Sequence, residues 1–329
     1  MRQEGFEAEN QSLWREVEAQ IEDLQRARSK RKLDRQEQML FPQRYRQICS
    51  HYALARSRRF SPALVAYLHG LVLRGHPLLY RRRAVWRWRL LDFLFREFPC
   101  TVRRQRNYFA VSLLFFLLPA LLMGSGCYLQ EDLIYTVLDE QQVAQMESMY
   151  DPASEHPGRS PERGSETNLT MFGYYIMNNI GIGFRTFAVG ILLSVGTLFL
   201  LLFNGLMIGG VSGHLTRLGF EETFWPFVCG HGAFELTAIV ICGAAGLLMG
   251  MAVLAPGPQG RLETLKANAR EALRLVMGAA LMLVVAAFIE AFWSPSGAAI
   301  AIKYGVAALL WLSVALYLTL MGRGQGGSH

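Results

Sequence analysis

The 329-residue chain is short of charge. Only 18% of its residues are Asp, Glu, Lys or Arg, against 52% hydrophobic residues and a mean hydropathy of +0.20. Such a composition, with long apolar runs, argues against a cytosolic globular protein. Paired cysteines are also lacking. The five present, at 49, 100, 127, 229 and 242, are an odd number without CxxC spacing, which argues against a disulfide framework or a zinc ribbon. Catalytic signatures are missing too: there is no GxxxxGK[ST] phosphate loop, no GxSxG elbow and no carboxylate pair in a soluble domain. The sequence therefore predicts neither an enzyme nor a cofactor, and a nucleotide-driven process would need its ATPase on another chain. No apolar run of signal-peptide length begins before residue 108, so no cleavable leader is expected.

What charge there is falls unevenly. Residues 1–107 hold 23 Lys/Arg against 11 Asp/Glu, a net of +12, whereas residues 127–179 hold 2 against 9, a net of −7. Between them Tyr108–Gly126 runs 19 residues without a charge, close to the ~20 that cross a bilayer core of about 30 Å. Arg103, Arg104 and Arg106 precede this first transmembrane helix and acidic residues follow it, so the positive-inside rule places 1–107 in the cytoplasm and 127–179 outside. The front part reads as a basic helical domain. Asn10–Gln38 carries Leu13, Val17, Ile21 and Leu24 at helical spacing, a stripe for packing on its own domain or for a coiled-coil partner. Ser61-Pro62 reads as an N-cap and first helical residue, and Gly75 with Pro77 as a break. Arg81, Arg82, Arg83, Arg87 and Arg89 alternate with Trp86 and Trp88. Next to a transmembrane helix this patch fits anionic lipid headgroups better than nucleic acid. Asp151–Asn168, rich in Pro, Gly, Ser and Glu, reads as a mobile external loop.

Residues 180–321 read as a glycine-rich membrane domain. Ile180–Gly213 is 34 residues with only Arg185 charged, too long for one crossing and short for two. Asn204-Gly205 and glycines 209, 210 and 213 suggest a full helix followed by a shorter or re-entrant one, with Arg185 snorkelling near an outer membrane edge. Phe224–Leu254, Leu273–Trp293 and Gly297–Met321 follow. The loop 255–274 carries Arg261, Lys266, Arg270 and Arg274 against Glu263 and Glu271 and belongs in the cytoplasm, which requires three traversals between 180 and 254. The fold class is thus all-α: a polytopic helical membrane protein of about 5–6 traversing segments, some broken or re-entrant, behind an N-terminal cytoplasmic helical domain, with both termini cytoplasmic. Residues 322–329 form a tail whose Gly-Gln-Gly-Gly-Ser-His ending resembles in part a tag remnant.

An ionisable group at a bilayer centre costs at least ~2.5 kcal/mol, so each one needs a reason. His231 and Glu235 lie four apart, one helical turn, and are candidates for a proton relay or polar binding point, with Asn204 as a third member. The alternative is an internally satisfied pair, with Gly230, Gly232, Gly243 and Gly246 allowing close helix approach. A metal would need more than this His-Glu pair; with no HExxH, His214 would have to come from another segment, and no metal is expected. Glu290 and Lys303, four and seven positions from the turn Ser294-Pro295-Ser296, could bridge the last hairpin.

These polar islands carry a resemblance. Asn204-Gly205 in an apolar run, Gly230-His231-Gly232 with Glu235-Leu236 and the Gly-Ala-Ala-Gly at 243–246, and Phe288-Ile-Glu290-Ala-Phe-Trp-Ser294-Pro295 resemble the stage II sporulation protein M family. Ser61-Pro62 and Leu68-His69-Gly70 are similar to the longer members of non-sporulating bacteria. The resemblance covers roughly residues 10–321. It implies a polytopic protein of the bacterial inner membrane without enzymatic activity. The implied role is a scaffold or anchor recruiting cell-envelope or peptidoglycan-related partners, with MoxR-type AAA+ ATPases and RDD-type membrane proteins as associates. The long basic front and the acidic loop depart from the short sporulation form. A homodimer through the glycine-rich faces is expected; the alternative function is a transporter subunit with broken helices at 204 and 230 around His231, Glu235 and Asn204.

Overall fold

Residues 2–26, 35–79, 88–153, 165–256, 258 and 260–323 are described by the computed structural model. Among them all regular structure is helical, as the sequence predicts. Two compact units meet between Leu90 and Leu91, so the basic stretch 91–107 that leads into the first span packs with the second unit.

The first unit consists of α1 (Gln3–Arg26), α2 (Arg35–Ser57) and α3 (Pro62–Leu79). The single helix expected over 10–38 is therefore two elements, one ending at Arg26 and the next starting at Arg35. The stripe on α1 turns inward: Trp14, Val17 and Ile21 meet Ile48 and Ala55 of α2 and Leu64, Leu68 and Leu71 of α3. That is the reading in which α1 packs on its own domain. Ile21, Ile48, Leu68 and Leu71 are fully buried, worth about 1.5–3 kcal/mol each. Ser61 does cap α3, accepting from Leu64 N–H at 3.4 Å, and Gln3 brackets it with two bonds of 2.9 Å, donating to Ser61 Oγ and accepting from its N–H. Gly75 and Pro77 do not break α3, which runs on to Leu79. Gly75 instead makes room for the Tyr45 ring, 2.6 Å from where a Cβ would stand, and Tyr45 Oη donates to the Val72 carbonyl at 3.0 Å. On the surface, Arg74 bonds Glu18 at 2.6 Å and Tyr67 donates to it at 2.9 Å. The Arg74 hydrogen bond holds the Glu18 carboxyl below its usual range, while burial and the Glu18 carboxylate push Tyr67 up to about 12.

The second unit begins with a π turn, Phe93–Glu97, and α4 (Phe98–Arg104), then α5 (Arg106–Leu129), α6 (Glu140–Tyr150), α7 (Ser165–Ala188), α8 (Val195–Arg217), α9 (Glu221–Leu254), α10 (Arg261–Phe288) with a π turn at Ile289–Trp293, and α11 (Ile300–Leu320). Among the described residues five helices are long and apolar enough to cross a membrane: α5, α8, α9, α10 with its π turn, and α11. Their outer faces remain apolar and exposed, with Leu114, Leu118, Leu121 and Leu122 on α5 and Ile302, Leu309, Leu312 and Leu316 on α11, as a lipid solvent requires.

Helix α8 is continuous through Asn204-Gly205, which corrects the expected break or re-entrant piece there. Its glycines serve contact instead. A Cβ on Gly205, Gly209 or Gly213 would collide with the carbonyls of Phe116, Ala120 and Gly124, so α8 lies parallel to α5 with backbones touching at every fourth residue. The chain turns earlier, at 189–194. There Leu193 and Ser194 take positive φ of 54° and 66°, Ser194 Oγ donates to the Leu247 carbonyl at 3.3 Å, and Gly190 abuts the Gly246 backbone. Helix α7 descends to this turn antiparallel to α8. Arg185 therefore sits in the last turn of α7 beside 189–194, opposite to the end where Phe172 packs on Phe292.

Helix α9 is the centre of the unit, with most of its length buried. Gly243 faces Ser112 and Leu201, Gly246 faces Thr197, and Gly250 faces Ser194. Gly230 and Gly232 make only ordinary contacts at 3.6 Å and beyond. At Gly243, Gly246 and Gly250 the face of α9 is filled by this chain's own helices.

The charged ends are sorted. At one end Arg104 meets Glu271 at 3.0 Å, Arg274 meets Glu271 at 2.7 Å, and Arg103 donates to the terminal carbonyls of α11 at Leu318 and Met321 (2.7 and 2.6 Å). At the other, Arg217 meets Glu131 at 2.6 Å and His214 meets Glu147 at 2.7 Å. Residues 131–136 and 140–150 of the acidic segment 127–179 are helical at this second end, and 154–164 of the expected mobile loop lie outside the described residues. Residues 131–136 form a 3₁₀ turn whose Ile134 is buried near Gly210, and α6 is capped by Asp139 with Gln142 in a reciprocal box. Tyr150 closes α6 against Phe224 and Phe227.

Candidate functional site

His231 and Glu235 sit one turn apart on α9, and the structure brings Glu290 of the second π turn to them. One ligand-capable atom from each of the three lies within 4.8 Å of the other two. His231 Nε2 stands 3.8 Å from Glu235 Oε2, and its Nδ1 is 3.0 Å from Ser294 Oγ. Asn179 on α7 donates from Nδ2 to Glu290 Oε2 at 3.4 Å, and Asn178 donates to Asn179 Oδ1 at 3.0 Å. Lys303 donates from Nζ to the Ser294 carbonyl at 2.8 Å, tying α11 to the same turn. His231 is 5% exposed and Ser294 1%. Phe227 stands edge-on to the His231 imidazole.

Depth follows from register. Ser112 Oγ donates to the Val240 carbonyl at 2.7 Å, aligning α5 with the antiparallel α9. At 1.5 Å per residue Ser112 is about 9 Å from the start of α5, and Glu235 is about 7.5 Å further in, or about 16 Å from the arginine-rich end. Glu235 is the member nearest that end, and Glu290 and Ser294 stand where α10 finishes and the chain turns toward α11.

The π turn is the device that delivers Glu290. A wide turn inserted into a helix rotates the residues beyond it, and such turns recur at functional sites. Here Ser294 N–H bonds the Ile289 carbonyl at 2.8 Å, five residues back, and the offset keeps both Glu290 and Ser294 facing α9.

Other residues expected at the site lie elsewhere. Asn204 gives its side-chain amide to the Leu200 carbonyl of its own helix at 2.7 Å. His214 pairs with Glu147 and supplies no ligand to the cluster. Helix α9 is unbroken at 230, which corrects the second proposed helix break. In the basic patch Trp88 is exposed at 73% and Arg89 falls in a helical turn at 88–92; Arg81, Arg82, Arg83, Trp86 and Arg87 lie outside the described residues. The sequence pairs His231 with Glu235 by spacing and places Glu290 with the hairpin. Joining them needed the tertiary fold. Asn179 gave a weak signal as the second of two asparagines at the head of an apolar run.

No curated protein and no solved structure matches the chain. Residues 4–81, covering the three-helix unit, match a domain of unknown function, DUF8413. Residues 109–295, more than half of the chain and including the whole polar cluster, match Stage II sporulation protein M. With its membrane-length helices and this match, the chain is an integral membrane protein and belongs to the stage II sporulation protein M family.

Proposed function

We propose that the protein is a six-pass scaffold of the bacterial inner membrane that holds the three-helix unit of residues 1–90 at the cytoplasmic surface for partner proteins. The observation that carries this reading is the division of the chain itself. A helical unit with its own buried core and its own family match is joined to a bundle whose long helices pack through glycine on carbonyl contacts. Such a bundle is suited to staying in one state. The discontinuous helices that build transporter sites are missing at 204 and 230, where α8 and α9 run on unbroken.

Orientation rests on charge. Arg96, Arg103, Arg104, Arg106, Arg185, Arg261, Lys266, Arg270 and Arg274 belong to one end of the bundle, and Glu131, Asp132, Asp139, Glu140 and Glu147 to the other. The arginine-rich end faces the cytoplasm by the positive-inside rule. With α7 counted beside the five apolar helices, both termini then fall on that side. Trp88 and Arg89 lie just before this end in sequence, suited to anionic headgroups. Partners of the recruited kind are an AAA+ ATPase of the MoxR type, an RDD-type membrane protein, and cell-envelope or peptidoglycan-related proteins. The test is co-expression with such an ATPase from the same genome. The full chain retains it through purification, and a chain lacking residues 1–79 inserts normally but does not. Equal retention by both would overturn the reading.

The second reading, a transporter or permease subunit, is favoured by the cluster of His231, Glu235 and Glu290 within the bundle. Flux in proteoliposomes that is lost in H231A/E235A with partner retention intact would replace the scaffold by this alternative.

A further inference from the structure

We propose that His231, Glu235 and Glu290 bind one divalent transition-metal ion of the zinc class between α9 and the end of α10, locking α9 to the final hairpin. This goes beyond the scaffold reading and does not depend on it. Two carboxylates and an imidazole sharing a space under 5 Å wide form a donor set that one divalent cation can bridge.

The donor set fits an ion better than a proton alone. One imidazole nitrogen and two carboxylate oxygens are ligands that Zn²⁺ accepts, whereas Mg²⁺ and Ca²⁺ prefer oxygen only. In a tetrahedral site with bonds near 2.0–2.1 Å the donor atoms stand about 3.3–3.4 Å apart. His231 Nε2 and Glu235 Oε2 are already at 3.8 Å, so a small side-chain adjustment completes the contact and leaves a fourth position for water.

The supporting contacts have the form that metal ligands require. Metal-bound histidines give their other ring nitrogen to a hydrogen-bond acceptor, which fixes the tautomer, and bound carboxylates are hydrogen-bonded in turn. Here Ser294 Oγ is 3.0 Å from His231 Nδ1, which leaves Nε2 directed at Glu235. Asn179 donates to Glu290. These supports come from α7 and from Ser294 at the end of the π turn, independently of the helix that carries His231 and Glu235.

The test is metal analysis of the full chain in detergent, purified without a metal-affinity step, as isolated and after incubation with Zn²⁺ followed by removal of excess. The expectation is about one zinc-class ion per chain in at least the second sample, falling at least tenfold in E235Q/E290Q and in H231Q. These near-isosteric changes keep the polar volume; variants that lose monodispersity are replaced by E290Q alone, for which the same fall is expected. Metal below one-tenth per chain in both samples overturns the proposal. So does stoichiometric metal that persists in the variants. The first outcome would leave a proton shared between the carboxylates, and the second would place the ion elsewhere.

Discussion

Replacing Gly209 by alanine tests the central packing contact of the membrane unit. A methyl group at this position points straight into the Ala120 carbonyl of α5, a backbone atom that no rotamer change can remove. The two helices must separate, and because Gly205 and Gly213 make the same contact on either side, separation loosens all three. Overpacking of this kind costs about 1–3 kcal/mol, against a gain of up to ~1 kcal/mol from the better helix propensity of alanine. The net expectation is a loss of about 1–2 kcal/mol, or a fall in melting temperature of roughly 3–8 °C at this size. Gly305→Ala on α11 is the matched control, since nothing lies within 4 Å of its Cβ position; only the propensity gain remains, and it should be neutral or stabilising. Thermal unfolding of both variants in the same detergent, with intrinsic tryptophan fluorescence as the signal, reads the difference. Equal stability of G209A and G305A would refute the argument that glycine at 205, 209 and 213 is required by contact.

Further predictions concern both units. Ser112→Ala removes the buried bond to the Val240 carbonyl and should cost about 1–2 kcal/mol, measured in the same unfolding assay; a neutral result would mean α5 and α9 are not held in register there. His51 accepts from Trp14 Nε1 at 3.1 Å, and burial lowers its pKa below 6.5. The folded state therefore favours the neutral imidazole, so this contribution is present above about pH 6.5 and is lost as pH falls through the lower folded value. Melts of the isolated three-helix unit from pH 8 to pH 5 should show declining stability, and the decline should flatten in His51→Gln. Glu18 is likewise lowered, so its contribution persists above about pH 4.5 and fades below it; as a partly exposed pair it is worth under about 1 kcal/mol, and Glu18→Gln should remove it. Ile21→Ala, at a fully buried position, should cost about 2–5 kcal/mol in the same fragment.

The helical class, the first span and the polar islands were legible in the sequence because each leaves a local signature: an uncharged run, an i, i+4 pair, a charge step. The turn at 189–194 was not. Its residues, Val-Gly-Ile-Leu-Leu-Ser, read as one more stretch of apolar helix, and what bends them is Gly190 against Gly246 and Ser194 against Leu247, contacts some 55 residues away. Conversely, Asn204-Gly205 and Gly209 look like breakers only when helix propensity is considered alone; in a bilayer the same glycines let helices touch. Gly75 was misread in the same manner, as a break in place of room for Tyr45. At the candidate site, His231 with Glu235 was visible as a helical pair. Glu290 was not assigned to it, since no spacing rule connects residues 55 positions apart or foretells a π turn.

Six passes with the arginine-rich end in the cytoplasm require that α7 crosses. Single cysteines at 145, 192 and 265, in a background with the native five replaced, can be labelled in intact cells with a membrane-impermeant maleimide. The account predicts labelling at 145 without permeabilisation, and labelling at 192 and 265 only after it. Labelling of 192 from outside in intact cells would contradict the account, because α7 would then return to the side from which it started.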